Sequence, residues 1–133
     1  VTIGLICADP VWVDGIWPFA KPLIKSAIER TGLSDFDEIE RDVLAGHQLL
    51  WVALSGAIEA AATTKLVKVG SEKICILVAC GGEQRKRWLP LFDRIENYAR
   101  AEGCTRVRVY GRKGWERVLT GYRAENVILE KAL

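Results

Sequence analysis

The chain has 133 residues, half of them hydrophobic, with 19 basic and 17 acidic side chains, a formal net charge of +2, four cysteines and one histidine. That length suits one domain with a core of its own and no need of disulfides. The apolar runs fall short of a membrane span and no secretory leader precedes Val1, so a cytoplasmic protein without membrane attachment is expected. Charge is unevenly placed: residues 1 to 83 hold 7 basic and 11 acidic groups, and residues 84 to 133 hold 12 and 6. An anionic ligand or partner is favoured on the second part.

Thr2 to Cys7 reads as a first strand, stopped by Ala8-Asp9-Pro10. Val11 to Pro18, with Trp12 and Trp17 flanking Asp14-Gly15, reads as a loop or a short helical turn. A first amphipathic helix then buries Phe19, Leu23, Ile24, Ala27 and Ile28, and Thr31-Gly32 closes it. A second starts at Ser34 as N-cap, with acids in its first turn where the helix dipole favours them. It buries Phe36, Ile39, Val43 and Leu44 and stops near Gly46. The period then changes. Gln48 to Leu54 is strand-like, Ser55-Gly56 is a tight turn, and Ala57 to Val69 returns as a long strand. Gly70-Ser71-Glu72 turns into Ile74–Cys80, an apolar run of strand length buried on both faces. These three strands form an antiparallel meander.

Gly81-Gly82 and the loop Glu83 to Arg87 follow, then a helix beginning near Trp88 with Pro90 in its first turn. Leu91, Phe92, Ile95, Tyr98 and Ala99 share its apolar face, and Gly103 ends it. Thr105 to Tyr110 alternates Val107 and Val109 against Arg106 and Arg108, and reads as a strand parallel to Ile74–Cys80. Gly111 breaks it, Trp115 to Leu119 forms a short helix ended by Gly121, and Val127 to Leu129 is a last strand. The order is β-α-α-β-β-β-α-β-α-β, one α/β (α+β) domain over residues 1–133.

The chemistry centres on the loop between the two parallel strands. Arg85, Lys86 and Arg87 stand beside exposed N–H groups at a helix start, which makes an anion site; the bland alternative is a solvated basic loop. Glu59 is a candidate base acting through water, or an outward-facing strand residue. Tyr110 is a candidate proton donor, or a half-buried structural tyrosine. Cys80 has nothing nearby in sequence to lower its pKa and reads as packing. Cys7, Cys75 and Cys104 likewise lack metal-ligand spacing and read as reduced thiols, and no metal is expected. His47 reads as a surface or capping histidine. The tryptophans at 12, 17, 51, 88 and 115 serve core packing or line an acceptor groove. Arg85, Lys86, Arg87, Arg106, Arg108, Arg112 and Lys113 could contact nucleic-acid phosphates, but the small net charge weighs against such a partner.

This order resembles that of the GNAT superfamily of N-acyltransferases over nearly the whole chain. The closing segment GWERVLTGYRAENVILEKAL is similar to the family's last helix, Gly-aromatic turn and final strand. Gly121-Tyr122 stand at the place of the usual Gly-Phe. AEGC followed by TRVRVY is similar to the central helix end and fifth strand. The resemblance implies strands splayed between Ile74–Cys80 and Thr105–Tyr110, with acetyl-CoA in the gap. Its pantetheine would lie on Ala79, Cys80 and Gly81, and its pyrophosphate at Gln84, Arg85, Lys86, Arg87 and Trp88. The sequence departs from the family in the phosphate loop: Glu83, Lys86 and Trp88 take the places of Gln or Arg, Gly, and Gly or Ala, and where small residues let backbone reach phosphate, Lys86 and Trp88 would crowd it. Arg117 takes the place of the family's frequent tyrosine acid. The expected function is acetyl transfer from acetyl-CoA to an amine, of a small molecule or a protein. The alternative is a catalytically silent module of the same fold, used for interaction or, in a phage, as a virion component. A homodimer covering the last strand or Trp-bearing surface is expected.

Overall fold

The computed structural model describes residues 2–133. Five strands form one mixed sheet in sequential order: β1 (Gly4–Cys7), β2 (Leu49–Ser55), β3 (Ala57–Val69), β4 (Glu72–Gly82) and β5 (Arg106–Val109). The first four are antiparallel, and β5 joins β4 in parallel through a helical crossover. Helices α1 (Val13–Thr31) and α2 (Phe36–Ala45) precede the meander. The crossover carries α3 (Arg85–Trp88), a 3-10 turn at Leu89–Leu91 and α4 (Phe92–Ala101), and a second 3-10 turn covers Lys113–Arg117 after β5.

Helix α1 starts at Val13, so most of the stretch read as a loop is helical. Pro18 and Pro22 lie inside it. Both are exposed on one side of the helix, where water can meet the carbonyls left without an N–H partner. The buried face is Val13, Trp17, Ala20, Ile24, Ala27 and Ile28, whereas Phe19 is 71% exposed and does not join the core. Trp17 donates from Nε1 to Glu40 Oε2 at 2.7 Å and stacks on Phe36, tying α1 to α2. Asp35, not Ser34, caps α2 by accepting from the Asp37 N–H, and Leu44 stays exposed.

The sheet has a core on each face. Under α1 and α2 lie Leu50, Val52, Ala61, Ile74, Ile76 and Val78, with Ile24, Ile28, Ile39 and Val43 against them. On the other face Trp51, Ala62 and Leu77 meet Phe92, Ile95 and Leu119. The strand expected at Val127–Leu129 does not form. Those residues lie outside the five-stranded sheet and are largely exposed. Among the described residues no helix is long and apolar enough to cross a membrane.

Candidate active site

Two irregularities in the sheet shape the site. Strands β4 and β5 pair from Ile74↔Arg106 to Leu77↔Val109, and the Tyr110 N–H makes a last bond to the Leu77 carbonyl at 3.0 Å. At that point the β3–β4 register slips, with Thr64 opposite Leu77 and Thr63 opposite Ala79. Val78 is thus the extra residue of a β-bulge, which bends the strand and increases its local twist. Beyond it β4 runs on to Gly82 paired only with β3, and the two parallel strands part. The parting leaves a cleft of about 860 Å³. Splayed strands were expected here, and the divergence falls at Leu77.

Of the residues expected at the site, Ala79, Cys80, Gln84, Arg85, Lys86, Arg87, Trp88 and Tyr110 all line this cleft. Gly81 does not. Its Cα faces α1, where an added Cβ would fall 2.2 Å from the Leu23 carbonyl oxygen, so the position requires close packing of α1 on β4. Glu59 is also outside the cleft lining. It is the extra residue of a bulge in β3, between the pairs Ala53↔Ala60 and Leu54↔Ile58, and Arg87 grips it with bonds of 2.7 and 3.0 Å. These bonds hold the Glu59 carboxyl below its ordinary range, which makes it a weaker base and takes Arg87 out of the free cations. Burial pushes the Cys80 thiol up to about 12, opposed by the nearby Arg30 charge, so no thiolate nucleophile is present at neutral pH.

Of the two residues expected to crowd the loop, Trp88 is buried and Lys86 is exposed at the cleft. Trp88 is turned down and packed against Ala53 and Ala60, and its Nε1 donates to the Glu83 carbonyl at 2.9 Å, closing the loop on itself. Gln84 adopts the left-handed backbone (φ 51°, ψ 55°) that a glycine would take without strain. Helix α3 behind it is only one turn, so side-chain charge rather than a long helix dipole dominates the site.

Further cations reach the cleft, of which sequence reasoning missed Arg30 and named Arg112 and Arg117 for other reasons. Arg30 and Thr31 reach the cleft from the end of α1, and Arg112 and Arg117 from the segment after β5. Arg30, Arg85, Lys86, Arg112 and Arg117 have no ion-pair partner among the described residues, and no aspartate or glutamate lines the cleft. Arg85 lies over the Trp115 ring at 5.7 Å, linking the crossover to the post-β5 segment across the cleft mouth. The one available signal for Arg30 was its place in the last turn of a helix ending at Gly32.

No protein-family model matches the sequence, and no curated protein matches it. Solved structures do. An aminoglycoside acetyltransferase from an uncultured soil metagenomic sample, in complex with sisomicin, superposes with a TM-score of 0.72 at 12% identity, covering 98% of this chain and 95% of its own. A predicted acetyltransferase with acetyl-CoA from Clostridium acetobutylicum gives 0.64 at 12% identity, covering 97% and 96%. A GNAT family acetyltransferase from Staphylococcus aureus gives 0.66 at 12% identity over 100% of both chains. The chain therefore has the GNAT acetyltransferase fold.

Proposed function

We propose that the protein is an N-acyltransferase that moves an acetyl group from acetyl-CoA to an amine. The observation that carries this reading is the parting of β4 and β5 after Leu77, with Arg85 and Lys86 unpaired in the cleft it opens. An open strand edge is a template for an extended, amide-bearing ligand. The free backbone groups of β4 beyond Val78 would pair with the two amides of the pantetheine arm, as an added strand would. Arg85 and Lys86 would meet the phosphates. The inward turn of Trp88 and the left-handed Gln84 leave the loop backbone accessible despite its lack of glycines. The donor named in the Clostridium acetobutylicum structure fits this set.

Bound acetyl-CoA would supply the thioester. Backbone N–H groups at the bulge would polarise its carbonyl, and the cleft walls would hold the amine against it. The amine lone pair forms the C–N bond, the C–S bond breaks, and its electron pair leaves with sulfur. Tyr110, which lines the cleft, would give that sulfur a proton. No carboxylate lines the cleft, so the amine would lose its own proton to water. Acetyl-CoA at a hundred times its dissociation constant should add about 2.7 kcal/mol of stability, a melting shift of roughly several degrees. Replacing both Arg85 and Lys86 by glutamate should remove the shift. The absence of any shift with acyl-CoA at millimolar concentration would refute the reading and leave the silent interaction module.

A further inference from the structure

The cations of the cleft belong to opposite faces of the sheet. Arg85 stacks on Trp115, and Trp115 packs with Trp88 and Phe92 on the face covered by α4. Arg30 comes from α1, which packs on the other face. Tyr110 is packed against that same α1-side core. Phosphates held at Arg85 and Lys86 would leave Arg30, which reaches the cleft from the opposite face, without an anion. Arg30 has no carboxylate partner among the described residues and is exposed.

Resting on the donor assignment above, we infer that the acceptor amine carries an anionic group, a carboxylate or phosphate, which Arg30 recognises from the α1 side of the cleft. A guanidinium fork suits either oxyanion by paired N–H bonds. The charge balance also selects against the opposite class. A polycationic acceptor such as the sisomicin bound by the metagenomic acetyltransferase would enter a cleft where, with the donor's phosphates on Arg85 and Lys86, Arg30, Arg112 and Arg117 remain unpaired and no acid lines the wall. Like charges at close range disfavour such a complex.

Arg30 also stands in the last turn of α1, where a cation complements the helix dipole. That role alone would not depend on which acceptor is offered. The test therefore compares two amines differing only by a phosphate, ethanolamine and O-phosphoethanolamine, by titration calorimetry on the full chain saturated with desulfo-CoA, and by acetyl transfer from acetyl-CoA. O-phosphoethanolamine is expected to bind about tenfold tighter or more, from one charge-assisted contact. Arg30→Glu should abolish that preference, while desulfo-CoA affinity and the KM for acetyl-CoA stay unchanged. Equal affinity for the two amines, better turnover of sisomicin than of O-phosphoethanolamine, or a preference that survives Arg30→Glu would overturn the inference. If desulfo-CoA gives no heat, the donor reading falls separately. Binding of O-phosphoethanolamine to the free cleft then decides Arg30 alone: it should be lost in Arg30→Glu and kept in Arg85→Glu, and the reverse pattern refutes it.

Discussion

Gly81→Ala tests how closely α1 is seated on β4. The added Cβ would lie 2.2 Å from the Leu23 carbonyl oxygen, 3.1 Å from its carbon and 3.3 Å from Ala27 Cβ, where ordinary contact begins near 3.4 Å. Two of these three atoms are backbone, so no rotamer change relieves the clash; α1 must move outward by about 1 Å, from the missing contact distance. Overpacking costs about 1–3 kcal/mol, and a backbone-to-backbone clash belongs at the upper end, about 3 kcal/mol. With m of about 2 kcal/mol/M the urea midpoint should fall by about 1.5 M, and melting by about 10 °C. Gly15→Ala is the control, since its Cβ meets nothing within 4 Å and it sits in the same helix. That change should stabilise by about 0.5 kcal/mol. A Gly81→Ala protein within about 0.5 kcal/mol of the parent would refute the packing described. If Gly81 instead served the donor, the loss would appear in acetyl-CoA affinity with the midpoint unmoved.

Glu59→Gln should change the acid limb of stability. The Arg87 bonds hold the Glu59 carboxyl below its ordinary 4.5, so its contribution is full above that pH and is lost as pH falls through the lowered value. Urea midpoints of the two proteins between pH 3 and 7 should therefore converge on acidification, and parallel curves would count against the ion pair. The Cys80 thiol, pushed up to about 12, should resist alkylation by iodoacetamide at pH 8, and Cys80→Ala should retain whatever acetyl transfer the parent shows. Rapid modification of Cys80, followed by mass spectrometry, would contradict the raised thiol pKa. Deleting residues 126–133 should leave monomer stability within about 0.5 kcal/mol, because Val127, Ile128 and Leu129 are exposed. If this apolar tail covers a second copy, sedimentation at high concentration will show a dimer for the full chain and a monomer for the deletion.

Legibility followed the range of the interactions involved. Strand β3 was read to the residue, Ala57–Val69, because its ends are set by adjacent turns at Ser55-Gly56 and after Gly70. The start of α1 was missed because Asp14-Gly15 and Pro18 read as local breakers. Their tolerance depends on which side of the helix faces water, and that is decided by the sheet beneath. Val127–Leu129 carries strand propensity, but a strand exists only where an edge receives it, and propensity does not supply the edge. The same distinction runs through the site. Arg85 and Lys86 were legible as cations beside a glycine pair. The neutralisation of Arg87 was not, because Glu59 is 28 positions away and aimed by a bulge in another strand.

Trp88 shows why a motif mismatch alone was a poor guide to this loop. Read linearly, a tryptophan at a glycine's place blocks the phosphate site. In the fold the indole is withdrawn into the sheet face between Ala53 and Ala60, both of which are small. The strand thus vacates the volume that the helix start would otherwise have to provide. Gln84 takes the left-handed conformation, and the resulting strain, of order 1 kcal/mol, is opposed by the Trp88–Glu83 hydrogen bond and the burial of the indole. The positive charge around the cleft rests on side chains from three separate segments, α1, α3 and the stretch after β5. A site assembled that way is invisible to spacing rules and should be sensitive to salt, since exposed cations are screened within about 8–10 Å at physiological ionic strength. Acetyl-CoA affinity should accordingly weaken from low salt to several hundred millimolar, and a flat salt dependence would mean that Arg85 and Lys86 do not hold the donor.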